Sequence, residues 1–162
     1  MKIAFILGSD SDLPIVEKGL TILRELELPF VLRILSAHRT PAAVSEFVSN
    51  LDADQYGAII AVAGKAAHLP GVVAAQTLIP VIGLPIDGGM DGLDALLSIV
   101  QMPKGIPVAC VGINNAQNAA LLAAQLLAQY RPEVRARLQA YRQKQTAAVL
   151  EKDRVIGEKY NA

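Results

Sequence analysis

The chain has no tryptophan, a single cysteine and only two histidines in 162 residues, and its basic residues equal its acids, so the formal net charge is zero. Each shortage removes a class of function. One cysteine excludes an intramolecular disulfide framework, and Cys110, within Ile106-Pro107-Val108-Ala109-Cys110-Val111, has the setting of a buried strand residue rather than a reactive thiol. A neutral charge balance offers no summed positive field for a nucleic acid backbone or an anionic membrane, so neither partner is expected. Aromatic residues make up 4% of the chain, too few to suggest a clasp for a flavin ring. No apolar run reaches the ~20 residues of a membrane span. The sequence enters a strand-like pattern straight after Met1-Lys2, with no basic leader or small-residue cleavage site behind it. The expectation is a soluble, cytoplasmic protein.

What the chain has is aliphatic residues. The apolar fraction is 52%, much of it Ala, Val, Leu and Ile, and 162 residues suffice for one domain, 1–162, with a single core. A surplus of this kind suggests contacts between subunits, although a sheet buried on both faces also requires continuous apolar strands. Five such runs occur: Ile3–Leu7, Phe30–Leu35, Ala58–Ala63, Val81–Leu84 and Val108–Val111. None alternates polar with apolar, so parallel strands covered on both sides are expected.

Helical patterns lie between the runs. Leu13–Leu26 carries apolar residues at 13, 16, 20 and 23, with Asp12 placed to cap it. Thr40-Pro41 gives the next helix, about 42–51, a cap and a proline at its first position. Further helices are expected from near His68 to before Pro80, over about 93–101 and over 115–130. Five βα units, right-handed crossovers and short connections predict a three-layer α/β/α sandwich around a five-stranded parallel sheet, in the flavodoxin-like order 2-1-3-4-5. A C-terminal helical extension, about 132–160, breaks the rhythm; it is either a solvated helix or an arm on a neighbouring subunit.

In an open α/β sheet the loops after the strands border the ligand crevice, and both histidines fall in such loops. Gly8-Ser9-Asp10-Ser11-Asp12 leads into the first helix, where free N–H groups and serine hydroxyls suit an anion and Asp12 can accept from sugar hydroxyls. It is neither a Walker loop nor a dinucleotide fingerprint. Ser36-Ala37-His38-Arg39-Thr40-Pro41 adds a guanidinium fork for phosphate and an imidazole, a group that both gives and takes protons near neutrality. Ala63-Gly64-Lys65-Ala66-Ala67-His68-Leu69-Pro70-Gly71 is built of small residues that let backbone approach a ligand closely. Lys65 either reaches a substrate carboxylate or is simply solvated. Asp87–Gly92 reads as a lid or as an ordinary flexible loop. Two histidines without nearby cysteines or a His-x-Glu pattern make a poor metal site, and no Ser-His-acid triad is legible.

These motifs, with Ser98-Ile99-Val100-Gln101-Met102-Pro103 and Asn118–Ala124, resemble the N5-carboxyaminoimidazole ribonucleotide mutase family over nearly the whole chain. The family is the catalytic homologue of aminoimidazole ribonucleotide carboxylase. The resemblance implies movement of a carboxylate from N5 to C4 of an aminoimidazole ribotide through enclosed CO2, in purine (IMP) biosynthesis, without ATP, metal or organic cofactor. It implies that His38 carries the proton, that Ser9, Asp12 and Arg39, with Ser36 beside them, bind the ribose 5-phosphate portion, and that Gly64, Lys65, Ala66, His68 and Leu69 line the CO2 pocket. It also implies a homo-octamer with active sites at subunit contacts. Lys65 stands where bacterial mutases usually carry glycine and the CO2-using carboxylases carry a basic residue, so direct carboxylation of aminoimidazole ribotide is the alternative reaction. Outside this enzyme class, the alternative is a non-catalytic, flavodoxin-like nucleotide-binding module.

Overall fold

A computed structural model describes residues 1–161. Five parallel strands, β1 (Lys2–Leu7), β2 (Phe30–Ile34), β3 (Tyr56–Gly64), β4 (Val81–Ile86) and β5 (Ala109–Cys110), form one sheet in the order β2-β1-β3-β4-β5. Helices α1 (Leu13–Glu25), α2 (Pro41–Ser49), α3 (Leu69–Ala74), α4 (Leu93–Val100) and α5 (Ala116–Leu127) follow the strands, and α6 (Pro132–Tyr160) ends the described chain. This is the predicted topology.

The two faces of the sheet sort side chains by strict alternation. Ile3, Phe5 and Leu7 of β1 join Ala58, Ile60 and Val62 of β3 in a core with α1, α5 and the start of α6. Ala4 and Ile6 join Ile59, Ala61 and Ala63 in a second core with α2, α3 and α4. Because β1 and β3 are buried on both faces, their apolar runs are unbroken. Helices α1 and α5 meet at Gly19, where a Cβ would lie 2.6 Å from the Ala116 carbonyl oxygen; only glycine allows that approach.

Several local expectations change. β2 is an edge strand: Arg33 and Ile34 are exposed and Phe30–Leu32 half-buried, so cover on both faces does not extend to it. β4 continues two residues beyond Leu84, through Pro85, which is opposite Ala63 in register. The β5 ladder reaches only Ile82 and Gly83, so at Pro85 the missing N–H breaks no bond on that side. β5 itself is two residues long, with Val111 N–H still donating to the Gly83 carbonyl at 3.2 Å. Cys110 is half-buried, and burial raises its thiol pKa, away from thiolate reactivity. Asp12 and Thr40 occupy the N-cap positions of α1 and α2, but neither side chain bonds its helix.

Helix α6 buries only Val134 and Leu138. Arg137 ties it to the end of α1 through the Leu26 carbonyl at 3.1 Å and Glu27 at 2.7 Å, and Lys144 reaches Glu25 at 2.9 Å. Further along, Arg154 pairs within the helix, with Glu151 and Glu158. Among the described residues no helix is long and apolar enough to cross a membrane.

Candidate active site

The strand order reverses direction between β1 and β3, and ligands of open α/β sheets bind at the carboxyl ends beside such a switch point. The loops there enclose a cleft of about 660 Å³, within the size range of small-molecule sites. All ten residues singled out from the sequence line it: Ser9 and Asp12 after β1; Ser36, His38 and Arg39 after β2; Gly64, Lys65, Ala66, His68 and Leu69 after β3. Ile15, Ala37, Ile86, Asp87 and Gly88 line it as well. Ile15 escapes a sequence reading because it lies beside the apolar stripe of α1, and Ile86 because Pro85 ends the apparent strand.

The two histidines meet. His38 Nε2 lies 2.6 Å from His68 Nδ1, with the rings edge to face and their centroids 4.9 Å apart. β2 and β3 flank β1 on opposite sides, so this contact arches over the end of β1 and joins loops 30 residues apart in sequence. One nitrogen of the pair must carry hydrogen and the other a lone pair. The bond therefore accommodates a single proton between the rings and fixes the orientation of both.

Neighbouring groups are tied into the same frame. Arg39 donates through Nη2 to the Gly8 carbonyl at 2.7 Å and through Nε to Ser36 Oγ at 3.4 Å. The guanidinium thus leans from the β2 loop onto the β1 loop and keeps further N–H donors for a ligand. Thr40 Oγ1 accepts from Ser36 N–H at 2.9 Å and donates to the Ser36 carbonyl at 3.1 Å. It closes the loop on itself, which is why it does not cap α2. In the first loop Ser11 Oγ donates to Ser9 Oγ at 2.8 Å and, more weakly, to Asp12 Oδ1 at 3.3 Å. At the far edge Asp87 N–H donates to Asn114 Oδ1 at 3.0 Å, which pins the base of the 87–92 loop. Lys65 has φ of 56°, a left-handed conformation that costs a non-glycine residue about 1–3 kcal/mol.

Asp12 is 8% exposed, and desolvation raises its carboxyl pKa; the Ser11 hydroxyl opposes this shift and the charge of Asp10 adds to it. The folded chain therefore holds this proton better than the unfolded chain. The stability linked to that preference is present below the unfolded carboxylate pKa, about 3.9, and is lost as pH rises through the folded value. At neutral pH the ionised carboxylate is a local destabilisation at the wall of the cleft. Asp12→Asn is expected to raise Tm at pH 7, and the gap over the unsubstituted protein is expected to narrow on acidification. Thermal melts at pH 7 and pH 4 check this; a gap that widens in acid would contradict it.

Comparison with known proteins agrees with this architecture. The profile of the AIR carboxylase family matches residues 2–148. The chain is 51% identical over 158 residues to the N5-carboxyaminoimidazole ribonucleotide mutase of Methanocaldococcus jannaschii, covering 98% of this chain and 99% of that protein. It is 55% identical over 129 residues to the phosphoribosylaminoimidazole carboxylase of Candida albicans, covering 79% of this chain but 23% of that longer protein. The crystal structure of Treponema denticola PurE superposes with a TM-score of 0.84 at 29% identity, over 93% of this chain and 95% of that one. A sheet order, a family profile and a near full-length relative that agree leave one assignment: this chain belongs to the AIR carboxylase family.

Proposed function

We propose that the chain works as one domain and is an N5-carboxyaminoimidazole ribonucleotide mutase, an isomerase of purine biosynthesis. The observation that carries the reading is the His38–His68 pair at 2.6 Å within a cleft that also holds Arg39 and the serine-rich β1 loop. In the first half-reaction the N5–carboxyl bond breaks, CO2 departs and N5 takes a proton from His38. CO2 stays in the cleft beside Ala66 and Leu69. In the second half-reaction C4 attacks CO2, a C–C bond forms and the C4 proton returns to His38. No net proton is gained or lost, so a single shuttling group suffices. Ser9, Asp12, Ser36 and Arg39 bind the ribose 5-phosphate, with Arg39 as the permanently charged anchor.

The test is product formation with CO2 controlled. From the N5-carboxylated ribotide, 4-carboxyaminoimidazole ribotide is expected to form in CO2-stripped buffer. Direct carboxylation is the second reading, favoured by the similarity to the fungal carboxylase; product from aminoimidazole ribotide alone, rising with CO2, would establish it instead.

The enzyme assembles with copies of itself, as an octamer in our reading, and works in the cytoplasm. Support for assembly comes from the exposed stripe Leu93, Leu97 and Val100 on α4, and from Val149, Leu150, Val155 and Ile156 on the outer half of α6. On α4 these residues share one face, a pattern that favours burial against a partner, and the exposed apolar side chains of outer α6 make that half of the helix, in our reading, the arm that reaches a neighbouring subunit.

A further inference from the structure

We propose that Lys65 binds the migrating carboxylate, as a second anion site at the opposite end of the cleft from Arg39. The inference rests on the mutase reading above and concerns how the second anionic group of the substrate is held.

Apart from the histidines, Arg39 and Lys65 are the two cations lining the cleft among the described residues. Their placements differ in direction. Arg39 comes from the β2 loop and leans onto Gly8 after β1. Lys65 comes from the β3 loop and leans the other way, toward β4, with its stem along Gly88: a Cβ built on Gly88 would lie 3.5 Å from Lys65 Cγ and 3.7 Å from Cε. In the order β2-β1-β3-β4 the Arg39 guanidinium therefore lies at the β1 loop and the Lys65 stem at the β4 loop, on opposite sides of the β3 loop that carries His68. Strands spaced ~4.8 Å apart put the β1 and β4 loops roughly 10 Å from each other.

The substrate has the matching layout. It carries a phosphate at one end and a carboxylate on the imidazole at the other, and the reacting atoms lie nearer the carboxylate. Arg39, tied beside the serine-rich loop, serves the phosphate, which leaves Lys65 for the carboxylate.

The backbone adds an independent argument. Lys65 keeps its left-handed φ of 56° where glycine would be free of strain, and strain of this kind persists where the surrounding structure enforces it, often at ligand clamps. Glycine at 65 would leave the loop unstrained and remove the ammonium, so Lys65→Gly tests the charge without endangering the fold.

A cation that contacts the carboxylate at N5 and again at C4 stabilises substrate and product alike. It contributes less to neutral CO2 between them. Its loss should then appear in the affinity for carboxylated ribotides and not in the affinity for aminoimidazole ribotide, which has no carboxylate.

Titration calorimetry of the unsubstituted protein, Lys65→Gly and Lys65→Met, each with aminoimidazole ribotide and with its 4-carboxylated product, makes the distinction. Both variants are expected to bind the carboxylated ribotide at least tenfold more weakly and aminoimidazole ribotide within twofold of the unsubstituted protein. The proposal is overturned if both variants keep full affinity for the carboxylated ribotide, or if both ligands weaken equally. It is also overturned if Lys65→Met keeps an affinity that Lys65→Gly loses, since the stem packing on Gly88 and not the charge would then be responsible. An unsubstituted protein that binds neither ribotide overturns the mutase reading and this proposal together, a result distinct from binding that survives the loss of Lys65.

Discussion

His38→Asn is expected to leave ribotide binding near normal and to lower kcat by about 10²–10⁴-fold, the range that a positioned proton-transfer group contributes. The proton-transfer role proposed for this histidine coincides with a contact that it makes. Its Nε2 bonds His68 Nδ1 at 2.6 Å, so removing the ring both deletes a titratable group and frees His68 to rotate. Asparagine is too short to place an amide where Nε2 stands, whereas the longer glutamine side chain reaches further toward His68 with a group that does not titrate near neutrality. His38→Gln is therefore the companion variant. Both are expected to show this loss of kcat while ribotide binding, read by equilibrium titration, persists. Substantial activity in His38→Gln would reduce His38 to a positioning residue and move proton transfer to another group. Full activity in His38→Asn would remove it from the mechanism altogether.

The contact between the histidines marks the limit of what the sequence reveals. Each histidine is legible as a loop residue because it follows an apolar run, and apolar runs long enough to be buried on both faces, as in β1 and β3, identify parallel strands directly. Order 2-1-3-4-5 then follows from short connections and crossover handedness. That order brings the β2 and β3 loops to either side of β1, yet nothing in the residues around His38 or His68 specifies a 2.6 Å approach across it.

The misread local features share a different cause. Asp12 and Thr40 stand at cap positions, but partners within their own loops take their side chains: Ser11 Oγ donates to Asp12, and Thr40 exchanges bonds with Ser36. A cap is a local preference worth about 1 kcal/mol, so a loop that must hold a ligand frame can override it. Lys65 is the reverse case. Its residue type is visible in the sequence, but its left-handed backbone and its stem along Gly88 appear only with the β4 loop in place.

Arg39→Ala is expected to raise KM by roughly 10- to 150-fold, the equivalent of the ~1.5–3 kcal/mol lost with a hydrogen bond to a charged group, with a smaller change in kcat. The phosphate lies remote from the bonds that break and form and is held in substrate, CO2 intermediate and product alike, so its anchor contributes uniform binding. Part of the effect will come through the loop. Arg39 also bonds the Gly8 carbonyl at 2.7 Å and Ser36 Oγ through its backbone N–H at 3.2 Å and Nε at 3.4 Å, and alanine keeps only the backbone bond. Arg39→Lys separates the two contributions. Lysine restores the charge as a single point but not the planar fork, which bonds Gly8 and has N–H donors left for a phosphate, so it should recover only part of the lost affinity. Competition by ribose 5-phosphate supplies the direct readout: inhibition of the unsubstituted enzyme should weaken in Arg39→Ala in proportion to the change in KM. If ribose 5-phosphate inhibits both proteins equally while KM rises, Arg39 acts through the loop and the phosphate anchor must be sought among Ser9 and its neighbours.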